Sequence, residues 1–301
     1  MKIRHILITC ILLAMLSPLM CSCINDDESL RVQYNVGVRL TTRTGEVLPD
    51  SVAGSVHAYM FIEGRYSHEV SREPDGRYYL CFDNRQTMRL VAVGLGSSDS
   101  VQLVPPVLGD SLGSVCARLR NYGESRSATR TSGTITEITP MSYICYGGFS
   151  YSPGDALRDS SFATLVMMNK NVRIHVVIRN LLSQMGAGNY TVKLEGFRSA
   201  LAFDGSIKGD SVVYEPHGGF DSNGVFSTDI INAMPTAEGD SVTFTLYKND
   251  NPIFKRTTDS YGAPITLSPE DDKAIVVDVG VMGVNLRVMP WSEVNSGTVF
   301  Y

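Results

Sequence analysis

Four histidines follow the first 22 residues: His57, His68, His175 and His217. No two of them stand at the spacing that would place both on one helical face around a metal. His175, in Arg173-Ile174-His175-Val176-Val177, sits mid-strand and reads as an exposed-face or satisfied core residue, not a base. Gly148-Phe149-Ser150-Tyr151-Ser152 lacks the second glycine of a nucleophile elbow. Gly94-Leu95-Gly96 follows an apolar run but has no third glycine, and Pro105-Pro106 stands where a phosphate-binding helix would run. Asp221-Ser222-Asn223-Gly224 opens like a calcium loop, yet its twelfth position is Asn232, which supplies no bidentate carboxylate; a turn is expected. Of six cysteines, Cys81, Cys116 and Cys145 lie in the body of the chain, without metal-ligand spacing. At most one disulfide can join them. Cys81 and Cys145 lie in segments that read as core strands, so buried free thiols are expected. No catalytic residue, metal ligand or cofactor follows from these groups, and no enzyme is expected.

The charge balance, 26 Lys and Arg against 31 Asp and Glu, gives a net −5 and no basic footprint for nucleic acid. Strict alternation dominates the body. Val32, Tyr34, Val36, Val38 and Leu40 place five apolar residues on one face of an extended strand. Further strands are expected over residues 55–62, 78–82, 88–95, 134–138, 141–147, 162–168, 172–181, 190–197, 212–214, 241–247, 253–256, 274–281 and 284–291. Turn signals such as Glu63-Gly64, Pro74-Asp75-Gly76 and Asn249-Asp250 punctuate them. Residues 181–185 are the one short helical pattern, stopped by Gly186-Ala187-Gly188. The fold class is all-β, as two tandem sandwiches, 31–160 and 161–301, divided in the Ser- and Pro-rich stretch 151–161. Residues 118–132, with Arg118, Arg120, Arg126 and Arg130, read as a solvated basic loop. Trp291, inside an alternating segment, reads as core.

The first residues are an address. Lys2 and Arg4 precede an apolar run over residues 6–16, which matches a secretory signal and is too short to span a bilayer. Met20-Cys21-Ser22-Cys23 then resembles the bacterial lipobox, which makes residues 1–22 the signal peptide and Cys23 the lipidated residue. Acyl chains on Cys23, at about 0.8 kcal/mol per buried methylene, would anchor the chain to a membrane. Residues 23–30 form an acidic tether through Asp26-Asp27-Glu28, similar to a surface-export signal of Bacteroidota lipoproteins. Loss of Lys2 and Arg4 leaves 24 basic against 31 acidic residues, a net −7. Asp-Ser-apolar recurs at Ser51, Ser100, Ser111, Ser211 and Ser241. The triplet resembles an O-glycosylation acceptor of the same bacteria, and equally suits a turn that starts a strand.

Several spaced segments together resemble the FimB-type fimbrial anchor lipoproteins of Bacteroidota. They are Tyr143-Ile144-Cys145-Tyr146-Gly147, the strand over 172–181, Phe203-Asp204-Gly205 leading to Val213-Tyr214-Glu215-Pro216, and the closing stretch from Leu286 through Pro290-Trp291 to Val294. The resemblance implies two transthyretin-like β-sandwiches and a place at the base of a fimbrium on the outer membrane. There the subunit holds the filament and limits its growth, with a stalk subunit as protein partner and a lipid as membrane anchor. The resemblance further implies that stalk subunits lose a first strand by proteolysis after Arg whereas an anchor keeps it, which makes residues 32–40 the candidate retained strand here. Arg31, Arg39 and Arg43 flank or interrupt it. Thr298, Val299, Phe300 and Tyr301 form an uncharged terminus that a stalk subunit would accept as a partner strand, or that packs on its own domain. A carbohydrate-binding surface lipoprotein and a fimbrial tip adhesin are the alternative functions.

Overall fold

The structure, a computed structural model, describes residues 33–48, 55–96, 100–120, 132–135, 144–155 and 162–295. Strands β1 (Gln33–Thr41), β2 (Val56–Ile62), β3 (Arg65–Val70), β4 (Arg77–Asp83), β5 (Met88–Leu95), β6 (Val101–Leu103) and β7 (Val115–Leu119) come first. They are followed by β8 (Ser132–Ile135), β9 (Ile144–Tyr151), β10 (Phe162–Val166), β11 (Met168–Asn169), β12 (Val172–Arg179) and a one-turn helix, α1 (Leu181–Met185). The remainder is β13 (Tyr190–Ala202), β14 (Ile207–Tyr214), β15 (Gly218–Phe220), β16 (Phe226–Thr228), β17 (Ile231–Ala233), β18 (Thr243–Lys248), β19 (Asn251–Arg256), β20 (Asp272–Gly280), β21 (Gly283–Pro290) and α2 (Trp291–Asn295). The chain is all-β, as its alternation and dense turns require.

Four sheets are built from these strands. A three-stranded sheet runs β10-β1-β4, and a five-stranded sheet runs β11-β9-β5-β2-β3. The six-stranded sheet runs β15-β16-β12-β20-β21 with β17 also on β12; the seven-stranded one runs β19-β18-β13-β14-β8, with β7 on β13 and β6 on β7. One core lies between the first two sheets, where Val36, Val38 and Leu40 of β1 meet Met60, Leu80, Leu90 and Leu165. The second core joins the six- and seven-stranded sheets through residues such as Ile174, Val176, Leu194, Phe244 and Ile275, and continues to Tyr59, Phe61, Val91 and Val93. The five-stranded sheet is therefore covered on both faces. That explains the apolar run Leu90-Val91-Ala92-Val93 of β5, all four fully buried, where a one-sided strand would alternate.

β13 is the longest strand and carries the second core across both halves. Its first part pairs with β18 from Tyr190↔Lys248 to Glu195↔Thr243; its last part pairs with β7, from Ala200↔Arg118 to Ala202↔Val115. The change occurs at Gly196, whose φ of +106° and closeness to the Ser241 carbonyl oxygen leave no room for a side chain. β10 and β11 begin after residue 160, yet they pair with β1 and β9, so the chain leaves the first two sheets only at Lys170-Asn171. β6, β7 and β8 come from the earlier half and join the seven-stranded sheet.

Some expectations are corrected. β21 ends at Pro290, and Trp291 opens α2 instead of closing the strand, half-buried with its ring stacked on His175 at 3.9 Å and 2°. Cys81 is exposed: Tyr78, Leu80 and Phe82 take the core face of β4, so Cys81 and Tyr79 take the other. Cys116 is buried and Cys145 half-buried, and no disulfide joins the three. Arg118 lies within β7 rather than in a loop, while residues 121–131 lie outside the described residues. The 221–224 segment is the expected turn, with Asp221 Oδ1 accepting from the backbone N–H of Asn223 and Val225, both at 2.9 Å.

Candidate assembly and tethering site

β1 is held on both sides. It pairs antiparallel with β4 from Gln33↔Asp83 to Arg39↔Arg77, and parallel with β10 from Gly37↔Phe162 to Thr41↔Val166. Its inward face seats Val36 and Val38 at full burial and Leu40 at 3% exposure. Tyr34 closes the outer end, edge-on to Phe82 and Tyr151 at 5.9 and 5.8 Å. On the outer face the Phe162 ring and Arg77 close over Gly37, and the Arg77 guanidinium lies 4.5 Å from the ring centre. Withdrawal of this one strand would bare an apolar groove and two unpaired edges, the situation in which a neighbour's strand is accepted.

A turn ends β1, where Thr42 N–H donates to the Glu46 carbonyl at 2.7 Å and Gly45 N–H to the Thr42 carbonyl at 3.0 Å. Arg43 projects from that turn, its side chain 79% exposed, and meets Glu270 at 3.0 Å. Arg39 is half-buried within the strand, and Arg31 lies outside the described residues.

Behind β1 lies the junction between the sheets of the two halves. Asn171 Oδ1 accepts from Ile144 N–H at 2.7 Å, and Glu270 Oε1 from Asn169 N–H at 3.2 Å. The Tyr146 hydroxyl donates to the Phe203 carbonyl at 2.8 Å and accepts from Arg89 at 3.1 Å. The Phe203 ring is wedged against Tyr59 and Phe61 at 5.4 and 5.2 Å. Gly205 turns the chain at φ +86° with the Tyr146 ring 2.9 Å from where a Cβ would stand, so a larger residue would push the ring away. The Lys170 ammonium sits 4.8 Å from the centre of the same ring, and burial lowers its pKa from the usual lysine range. Burial raises the Tyr146 pKa as well, which keeps the hydroxyl a donor. These contacts link the sheets of the two halves at the junction.

Near the chain's last described residues, His175 is buried between Trp291 and the Asp272 carboxylate, with Nε2 to Oδ1 at 2.8 Å. Burial lowers its pKa; Asp272 opposes that and Arg173, which meets Asp272 at 3.4 Å, assists it. His175 is thus a satisfied core residue. Among the described residues no cluster of three or more His, Cys, Asp or Glu side chains is placed to hold a metal ion.

The other residues expected from sequence are scattered. Cys23, Ser51 and the segment Thr298, Val299, Phe300 and Tyr301 lie outside the described residues. Ser100 is half-buried before β6, its carbonyl accepting from Arg120 N–H at 2.8 Å. Ser111 is exposed and bridges to Arg65. Ser211 is half-buried in β14, between Arg198 and Ser132 in register, and Ser241 is half-buried just before β18. Neither the Gly37–Phe162–Arg77 cover nor the Tyr146–Phe203 bond was visible in sequence. Gly205 gave a turn signal, but nothing local names the ring that approaches it.

These observations define an all-β body of stacked sheets whose first described strand is paired on both sides. Residues 28–297 match the family model of fimbrillin-A associated anchor proteins Mfa1 and Mfa2, and the chain belongs to that family. No curated protein sequence matches it. Among solved structures it is similar to the fimbrial anchor protein Mfa2 from Porphyromonas gingivalis, at 15% identity and a TM-score of 0.59, covering 86% of this chain and 98% of that one. A candidate polysaccharide-binding protein of Bacteroides thetaiotaomicron follows at 14% identity and 0.55, covering 85% and 98%. A candidate adhesin of Bacteroides ovatus matches at 13% identity and 0.54, covering 89% and 95%. These likenesses establish a shared fold. Family membership associates the chain with cell-surface fimbria as a structural protein with a fimbrial protein partner.

Proposed function

We propose that this protein is a lipid-tethered anchor that holds a fimbrium at the outer membrane and ends its growth there. The supporting observation is β1: a strand paired on both sides, filling its own groove, and continuous with the segment that carries Cys23. A chain that keeps this strand offers no vacant groove to a further subunit, and the same strand connects the body to the acyl chains at Cys23. Pull on the filament passes through the Tyr146–Phe203 joint and along β1 to the lipid. The division into a signal at 1–22, a tether at 23–30 and sandwiches at 31–160 and 161–301 belongs to this reading; the pairing of β10 and β11 with β1 and β9 favours an exchange nearer residues 170–171. The uncharged segment 298–301 is the candidate strand donated to the adjoining stalk subunit. Replacement of Cys23 by Ala tests the reading: fimbriae should appear in the medium, and fimbriae that stay on the cells would contradict it.

A further inference from the structure

β12 starts at the junction, next to Asn171, and runs outward to Arg179 with β20 parallel beside it. The β20–β21 hairpin therefore turns at the pole of the six-stranded sheet that points away from the junction. β1 runs in the opposite sense: Thr41 accepts from Met167 N–H beside the junction, and Gln33 lies at the other pole. The hairpin closes on Gly280↔Gly283, which leaves Val281 and Met282 as its two-residue tip. Both are wholly in solvent, at 91% and 103% exposure. Two-residue hairpin loops favour Asn, Asp and Gly, so turn geometry gives no reason for Val and Met there. Leu182 and Met185 of α1, which packs against β20, are exposed as well.

The geometry points to this pole as the docking knob for the first fimbrial subunit, Val281 and Met282 entering a concave, uncharged aliphatic socket on that subunit. The inference rests on the anchor reading, because a body held through residue 23 presents the pole opposite β1 outward. The chain enters β1 at the far pole and leaves β21 at the waist, where Pro290 pairs with Lys273, so neither neighbouring segment of the described chain seats on the tip. Asp278, two residues before the closing Gly280, pairs with Arg179 at 3.8 Å and with Arg287 at 2.7 Å.

Fimbriae sheared from the same cells are the probe, applied to the immobilised full chain. The double variant Val281→Asp/Met282→Asp should unfold at the wild-type temperature and bind the fimbriae roughly a hundredfold more weakly, about 2.8 kcal/mol at 1.4 kcal/mol per tenfold. Wild-type binding by the double variant would overturn the inference. A photo-crosslinking residue at position 282, on whole cells, gives a second readout. An adduct identified by mass spectrometry as the fimbrial subunit supports the inference; an adduct with lipid or with a second copy of this chain, or none, overturns it. If Cys23→Ala releases fimbriae while the tip variant retains them, the knob fails and the anchor reading stands. If Cys23→Ala retains them, the anchor reading itself fails.

Discussion

Removal of β1 is the perturbation that probes self-complementation most sharply. A chain beginning at Thr42 lacks Val36, Val38 and Leu40, three side chains at or near full burial. At about 1.5–3 kcal/mol for each, their removal costs roughly 5–9 kcal/mol, before the lost pairing with β4 and β10 is counted. That is comparable to the whole net stability of a domain, about 5–15 kcal/mol. The truncated chain should lose its first thermal transition and bind a hydrophobic dye at the exposed floor of Met60, Leu80, Leu90 and Leu165. A synthetic peptide of residues 33–41, added in excess, should restore the transition, and the same peptide carrying Val38→Asp should not. Calorimetry with and without peptide reads both outcomes. A truncated chain that melts like the full one and ignores the peptide would refute the argument that β1 fills a groove.

Three further outcomes follow from the same geometry. Tyr146→Phe leaves the Phe203 carbonyl without its hydroxyl donor and Arg89 with only its longer bond to the Asp204 carbonyl at 3.4 Å, and should lower stability by about 1–3 kcal/mol in urea unfolding. For His175, burial lowers the folded pKa below the unfolded value of about 6.5, so the unfolded chain binds the proton more readily. Stability should therefore be full above pH ~6.5 and fall as the pH drops through the folded pKa, with His175→Gln flattening that step; Trp291, the one tryptophan, reports it by fluorescence. Among the body thiols, exposed Cys81 should react with a thiol reagent at pH 7.5 in minutes, whereas Cys116, its pKa pushed up to about 12 by burial, should react only on unfolding.

What sequence made legible was local. β5 matches its expected bounds because a continuous apolar run between turn residues has few other solutions, and β2, β12 and β20 lie within two residues of theirs. The one-turn helix α1 was marked by the glycines behind it. β3, with Arg65, His68 and Glu69 on a half-exposed edge, carries no apolar stripe, and the three-residue strands β6, β15, β16 and β17 are too short to show a period. Cys81 was legible in principle: strict parity with Tyr78, Leu80 and Phe82 places it outside. Trp291 was misplaced because alternation continued through Pro290, the residue at which pairing stops. The parallel pairings β1–β10, β12–β20 and β14–β8 join segments about 80 to 125 residues apart and have no local signature. Those pairings hold the candidate site together, which is why the turn at Gly205 could be read but not the joint it serves.

The anchor reading stands or falls on what the mature chain looks like at its start. Intact mass spectrometry of the protein extracted from outer membranes, with sequencing of its first peptide, reads lipid and strand together. The account predicts an amino terminus at Cys23 carrying acyl chains and continuing unbroken through residues 33–41. An unacylated chain, or one beginning after Arg31, Arg39 or Arg43, would contradict it.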